Sequence, residues 1–463
     1  MPNPLFKTKP LSSILDEAAS GQNRLKRSLR AIDLIAIGIG CIIGVGIFVL
    51  PGTEAAHHSG PGIIISFVIA ALACAFTALS YAELASMIPV SGSAYSYTYA
   101  TLGEAIAWIV GWDLILEYVL AAIFVSIGWS AYFSSILQQI GLPIPKPLCG
   151  GPFGDTPGLI NLPALLIVAL LTFLLVRGTK ESARINMAIV VIKVLVIAGF
   201  ILAAARHVVP SNWTPFMPFG FSGVLTSAGV VFLAFAGFDA VSTTAEEAVN
   251  PQRDVPIGIL GSLLIATVLY VGVAVVMTGI VPYKELGVAN PMNLVLDRIN
   301  MPVTSIFISL GAISGITSVL LVLLMGQPRI FFSMSRDGLL PSYLSRVHPR
   351  FGTPHITTVM TGVVIAILAS FARLDVIAEL CSLGTLLAYN IVSIGVIILR
   401  YTRKDLKRTF KVPFFPVTPI LAILLCSYLM ISLPLMTWVW LFIWLILGVL
   451  IYAFYGFRHS RLR

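Results

Sequence analysis

Apolar residues run along this chain in twelve blocks, roughly 31–50, 62–88, 102–136, 159–176, 185–205, 220–249, 257–281, 302–334, 356–371, 376–399, 417–435 and 438–457, and the charges gather between them. Most blocks are long enough to cross the roughly 30 Å hydrocarbon core of a bilayer as a helix. Two of them are flawed as simple anchors. The first contains GIGCIIGVGIF, with glycines at 38, 40, 44 and 46. Each glycine weakens a helix by about 1 kcal/mol relative to alanine. Either these glycines let helices approach closely, or the helix unwinds there and offers backbone groups to a ligand, which a membrane tolerates only around a cavity. The sixth block reads VVFLAFAGFDAVSTTAEEAV, with Gly237 beside Asp239 at bilayer depth and a polar continuation.

Composition agrees with a polytopic α-helical membrane protein. Hydrophobic residues make up 58 % of 463 and charged residues 11 %, with a mean hydropathy of +0.97, too few charges for the surface of a soluble domain. Residues 1–30 are polar and basic, and the block after them is too long and glycine-rich for a signal h-region, so no cleavable signal peptide is expected. The cysteines at 41, 74, 149, 381 and 426 show no pairing or metal-binding spacing.

The distribution of Lys and Arg orients the blocks. With residue 1 in the cytoplasm and sides alternating, 23 of the 29 fall inside, including six in the N-terminal segment and six in the stretch Arg400–Lys411. Lys146, Arg206, Lys284, Arg298 and Arg373 fall outside, and Lys193 is left within a block. This is the positive-inside distribution. It places both termini in the cytoplasm of a multi-pass protein of the cell membrane, and it assigns the +9 net charge to anionic lipid rather than nucleic acid.

Interrupted blocks 1 and 6 lie five apart, and because five is odd a 5 + 5 repeat would be inverted in the membrane. The expected organisation is a cytoplasmic segment 1–30, a ten-helix core over 31–400 (31–205 and 220–400), and helices 11 and 12 over 401–463. Half-helix N-termini present free N–H groups to a carboxylate, and half-helix C-termini present carbonyls to an ammonium. Gly44, Val45 and Gly46 are the expected donors. Acceptors are expected at Ile42 and Ile43 and between Phe232 and Gly237, a fit for the head of an α-amino acid.

These residues carry a family resemblance. GIGCIIGVGIF resembles the first-helix G-x-G signature of the amino acid–polyamine–organocation (APC) transporter superfamily. FAGFD with TTAEEAVNPQRDVPIGI, PRIFFSMSRDGLLP and SLGTLLAYNIVSIGVIILRY are similar to its cationic amino acid transporter family. The matches run from block 1 to block 10, and twelve spans resemble the family's bacterial branch. The resemblance implies a leucine-transporter-type fold of twelve transmembrane helices, with a 5 + 5 inverted repeat, discontinuous helices 1 and 6, and alternating access. It implies a carboxylate on Gly44, Val45 and Gly46, an ammonium on the carbonyls of Ile42, Leu233 and Ala236, and Phe232 and Phe235 as lids. The chain departs from a cationic preference: acids near the pocket are few (Asp113, Glu117, Asp239), and the LLVLLM wall, Leu320–Met325, is bulky and apolar. Small neutral L-amino acids such as alanine suit it, with Leu323 or Met325 as the residue that limits side-chain size.

Lys193 lies eight residues into block 5, roughly 12 Å along a helix at 1.5 Å per residue, so its side chain of about 6 Å does not snorkel fully. A buried lysine gives up and regains a proton readily; the alternative is a lysine hydrogen-bonded to carbonyls for structure alone. Sodium-coupled members of the related fold hold a cation between spans 1, 5 and 8. A lysine there resembles a built-in cation, which implies proton coupling, no sodium and no cofactor. Glu117, four residues after Asp113, is a secondary coupling candidate, weighed against a carboxyl merely bonded between helices. Glu83, Glu246 and Glu247 near cytoplasmic span ends are expected in solvent by default, with gate hydrogen bonds as the alternative. Channel and enzyme readings lack support: no filter repeat, H-E-x-x-H, nucleophile elbow or P-loop is present. A nutrient receptor keeping the same site stays open as an alternative. So does a small single-helix partner or a sterol-like lipid packed on the bundle.

Overall fold

The computed structural model describes residues 7–10, 29–88, 93–152, 158–177, 183–243, 245, 248–288, 290–346, 354–404 and 408–462. Among them, seven helices are long and apolar enough to cross a membrane, and five shorter apolar helices accompany them. Every apolar block of the sequence carries one. Large apolar side chains point outward along these helices, with Leu202 77 %, Ile431 72 % and Leu195 65 % exposed. In a fold whose interior is otherwise full, such a surface fits lipid.

The first block forms α1 (Ala31–Ile42), α2 (Val45–Phe48) and α3 (Leu50–Glu54). A π-turn at Ala55–Ser59 then leads to Gly60, whose φ of +60° suits glycine. After it come α4 (Ile63–Met87), the short α5 (Ser93–Thr101) and the 36-residue α6 (Glu104–Gln139). A two-residue antiparallel pair, β1 (Cys149–Gly150) with β2 (Ile160–Asn161), precedes α7 (Leu162–Arg177) and α8 (Ala183–Ala205). The sixth block forms α9 (Gly220–Val231) and α10 (Ala240–Thr243). The remaining elements are α11 (Pro251–Ile280), α12 (Pro291–Arg298), α13 (Pro302–Arg336), α14 (His355–Phe371), α15 (Leu374–Thr402), α16 (Val417–Ser432) and α17 (Leu435–Ile451).

Two groups of helices meet at the centre. In one, α11 packs along both α1 and α4, and α9 joins α4; in the other, α13 and α15 lie against α6, and α14 lies against α7. α8 packs on α1 and α13 and so touches both groups.

The end of the bundle that carries residues 7–10 and 459–462 is tied by polar contacts. Glu83, expected in solvent, is buried at 1 % exposure. Its carboxylate accepts from both nitrogens of the Arg400 fork and from the Val412 N–H at 2.7 Å, with Arg408 at 3.4 Å. The polarity of Glu83 is thus matched by arginines distant in sequence, which keeps it out of water. Glu246 and Glu247 lie outside the described residues. Glu104 accepts from the hydroxyls of Tyr99, Tyr452 and Ser460. Lys9 pairs with Asp337 at 3.1 Å, and Lys7 Nζ donates to the Leu462 carbonyl at 2.6 Å.

Candidate functional site

The first helix stops where its glycines are densest. Ile43 (φ −78°, ψ 91°) and Gly44 (φ −129°, ψ −145°) are extended, and the helix resumes at Val45. A break of this kind deprives the last carbonyls of α1 of their i+4 donors, and buried carbonyls need replacements. Two side chains supply them. Lys193 Nζ on α8 donates to the carbonyls of Gly40 at 3.0 Å and Ile43 at 3.1 Å. The Tyr270 hydroxyl on α11 lies 2.7 Å from the carbonyls of both Ile42 and Ala234. One hydroxyl carries one proton, so it serves one of these carbonyls at a time. Beyond the break, Val45 and Gly46 begin a new helix and their N–H groups have no intrahelical acceptor.

The sixth block breaks opposite the first. α9 tightens into a 3₁₀ turn over Phe232–Phe235, Ala236 is extended, and Gly237 takes a φ of +109° that only glycine adopts freely. The two breaks touch. A Cβ on Gly237 would lie 3.1 Å from the Cys41 carbonyl group, and one on Gly46 would lie 2.7 Å from the Cα of Ala234. Both roles weighed for the glycines are therefore present at different positions. Gly38 is a packing glycine, with its missing Cβ filled by Ser262 at 2.3 Å, whereas Gly44 sits in the break itself.

Between the breaks lies a cavity of about 80 Å³, room for a handful of water-sized groups. Ile42, Gly44, Val45, Gly46, Leu233, Ala236 and Gly237 border it. Ile43 is not on its surface; its carbonyl belongs to Lys193. Neither expected lid borders the cavity. Phe235 packs against Phe67 and Tyr270, and Phe232 against Tyr389. On α13, Leu323 lines the cavity beside Val319 and Val322, while Met325 lies outside it. Ala121, Phe124 and Val125 of α6 complete an apolar wall.

Glu117 and Asp239 border the cavity as well. Among the described residues, Oε2 of Glu117 and both carboxylate oxygens of Asp113 have no hydrogen-bond partner. Asp239 accepts from the Tyr389 hydroxyl at 3.3 Å. Lys193 is fully buried, so its two carbonyl bonds are made away from water.

Sequence reasoning missed Tyr270, Val319 and the α6 residues Ala121, Phe124 and Val125, whereas Val322 lies within the expected Leu320–Met325 wall. Tyr270 was findable, since a hydroxyl deep in an apolar block must bond something. Val319 and the α6 residues were not, because which residues of a long apolar helix face a cavity depends on its rotation.

A family model described as amino acid permease matches residues 29–451. The branched-chain amino acid permease BcaP of Bacillus subtilis (strain 168) is 50 % identical over 466 residues, covering 100 % of each chain. The methylthioribose transporter of the same organism is 48 % identical over 458 residues, covering 99 % of each. The vacuolar cationic amino acid transporter 4 of Arabidopsis thaliana is 37 % identical over 409 residues, 87 % of this chain and 68 % of that one.

Proposed function

The chain belongs to the amino acid permease family of the APC superfamily, and from that premise we propose that it takes up small neutral L-amino acids, alanine-like in size, together with protons by alternating access. One observation carries the reading: a cavity bordered by the two helix breaks and walled on the side-chain end by Val319, Val322, Leu323 and Phe124. The N–H groups at Gly44, Val45 and Gly46 would bind the carboxylate, and carbonyls at Ile42, Leu233 and Ala236 the ammonium. Such a head-group site spends no charged side chain. Val319, Val322, Leu323 and Phe124 offer a short aliphatic or methyl side chain an apolar wall of matching character.

Lys193 would couple the proton. It bridges α8 to the last turn of α1 and to Ile43 in the break itself, so any movement of that break alters its partners. A fixed ammonium there also fills the place a sodium ion would need. The working unit is the ten-helix core over 31–400 with its termini in the cytoplasm, and the last two helices sit beside it. A second reading is larger, branched-chain substrates, favoured by the wholly aliphatic α13 wall and by the name of a relative 50 % identical.

Counterflow of labelled amino acids in liposomes holding the purified protein tests the proposal. Alanine should exchange rapidly, arginine and methylthioribose poorly, and amines lacking the carboxylate not at all. Preference for isoleucine over alanine would select the second reading. Binding without counterflow would make the protein a receptor.

A further inference from the structure

The stem of Lys193 passes over a gap in α13. A Cβ at Gly315 would lie 2.8 Å from Lys193 Cε, 3.0 Å from Cγ and 3.2 Å from Cδ, inside the roughly 3.5 Å at which two carbons pack. Four residues earlier on the same face, a Cβ at Gly311 would meet Val196 at 2.6 Å. Glycines at this spacing let two membrane helices approach closely, and that accounts for Gly311. At Gly315 the space holds something else: a buried charged side chain leaving α8 for the Gly40 and Ile43 carbonyls of a third element.

We infer that Gly315 is a positioning residue for Lys193: the missing side chain at Gly315 is the passage through which the ammonium reaches the broken first helix. The tightest of the three approaches is to Cε, the carbon that bears Nζ. A methyl group at Gly315 therefore displaces the far end of a flexible side chain before it displaces any backbone. The fold survives, and the ammonium loses its two carbonyls.

The inference rests on the coupling role proposed for Lys193, and the test separates the two. Proton-driven accumulation and counterflow of labelled alanine are measured in liposomes for the wild type, Gly315→Ala, Gly311→Ala, Lys193→Ala and the Gly315→Ala/Lys193→Ala double variant. Gly315→Ala should lower the ratio of accumulation to counterflow about tenfold, a size typical of residues in contact. Gly311→Ala, which crowds the same helix pair away from the lysine, should leave that ratio near wild type. The double variant should match Lys193→Ala. A wild-type ratio in Gly315→Ala, an equal loss in Gly311→Ala, or a further loss in the double variant overturns the inference. Should Lys193→Ala itself keep the wild-type ratio, the coupling role fails. Positioning is then decided by melting temperatures of the same four variants and wild type. Gly315→Ala should shift the melt only when Lys193 is present, and additive shifts overturn it.

Discussion

Gly46 stands directly against Ala234: a Cβ on the glycine would fall 2.7 Å from the alanine Cα and from its Cβ. The two broken helices cross at this point, and backbone cannot yield as a side chain can. Gly46→Val should therefore fail to fold into monodisperse protein, which makes it a poor probe of binding. Gly44 is the better probe. Its nearest neighbour is a Val319 methyl at 3.3 Å, so Gly44→Ala should fold. Its binding of labelled alanine should weaken by roughly tenfold to a hundredfold, the worth of about one hydrogen bond to a charged group. Wild-type affinity in a folded Gly44→Ala protein would remove Gly44 from the site.

Tyr270 joins the two breaks through one hydroxyl, and phenylalanine keeps the ring that packs on Phe67 and Phe235. Tyr270→Phe leaves a buried carbonyl short of a donor, at a cost of about 1–3 kcal/mol. The variant should melt earlier and bind substrate more weakly, because the breaks it ties together border the cavity proposed for the head group. A melt and an affinity both equal to wild type would show the hydroxyl to be dispensable.

The energy source is tested with separate gradients. Accumulation in liposomes should follow an inward proton gradient and ignore sodium. Lys193→Ala should abolish it, and Lys193→Arg should too, since arginine keeps its proton at any relevant pH. Accumulation driven by sodium alone would overturn the role of Lys193.

The proposed size selectivity is tested at Leu323. It borders the cavity and Met325 does not, so Leu323→Ala should shift competition toward larger neutral amino acids by up to about tenfold. Met325→Ala should leave the substrate order unchanged. The reverse pattern in an uptake-competition assay would place the wall elsewhere.

Glu83 faces the arginine fork of Arg400 and lies close to Arg408. Removing one partner of a buried charge cluster costs about 3–5 kcal/mol. Glu83→Gln should lower the melting temperature clearly more than substitution of an exposed acid such as Glu285, whose pair with Arg298 is half open to water. Equal melts for the two variants would show that burial of Glu83 contributes little.

Features announced by a local clash with the bilayer were legible in the sequence. Gly38–Gly46 and Phe235–Asp239 broke the apolar pattern where the helices break, and Lys193 stood out because no lysine rests in hydrocarbon unpartnered. What depends on rotation or on distant partners was not legible. Phe232 and Phe235 lie in a 3₁₀ turn, whose phase differs from that of an α-helix, so they face Tyr389 and Tyr270 rather than the cavity. Glu83 looked solvated because Arg400 lies 317 positions away. Gly315 gave no sign, since its role is the passage of another helix's side chain.

Lys7 and Leu462, bonded at 2.6 Å, are 455 positions apart. During synthesis Lys7 emerges long before its acceptor, which follows only 455 positions later. A similar delay holds for Glu104, whose partners Tyr452 and Ser460 lie 348 and 356 positions further on. Contacts of such long range form late in folding. Closure of this end is then among the final events of biogenesis, and a chain stalled before residue 452 would sit in the membrane with its helices inserted and its clasp undone.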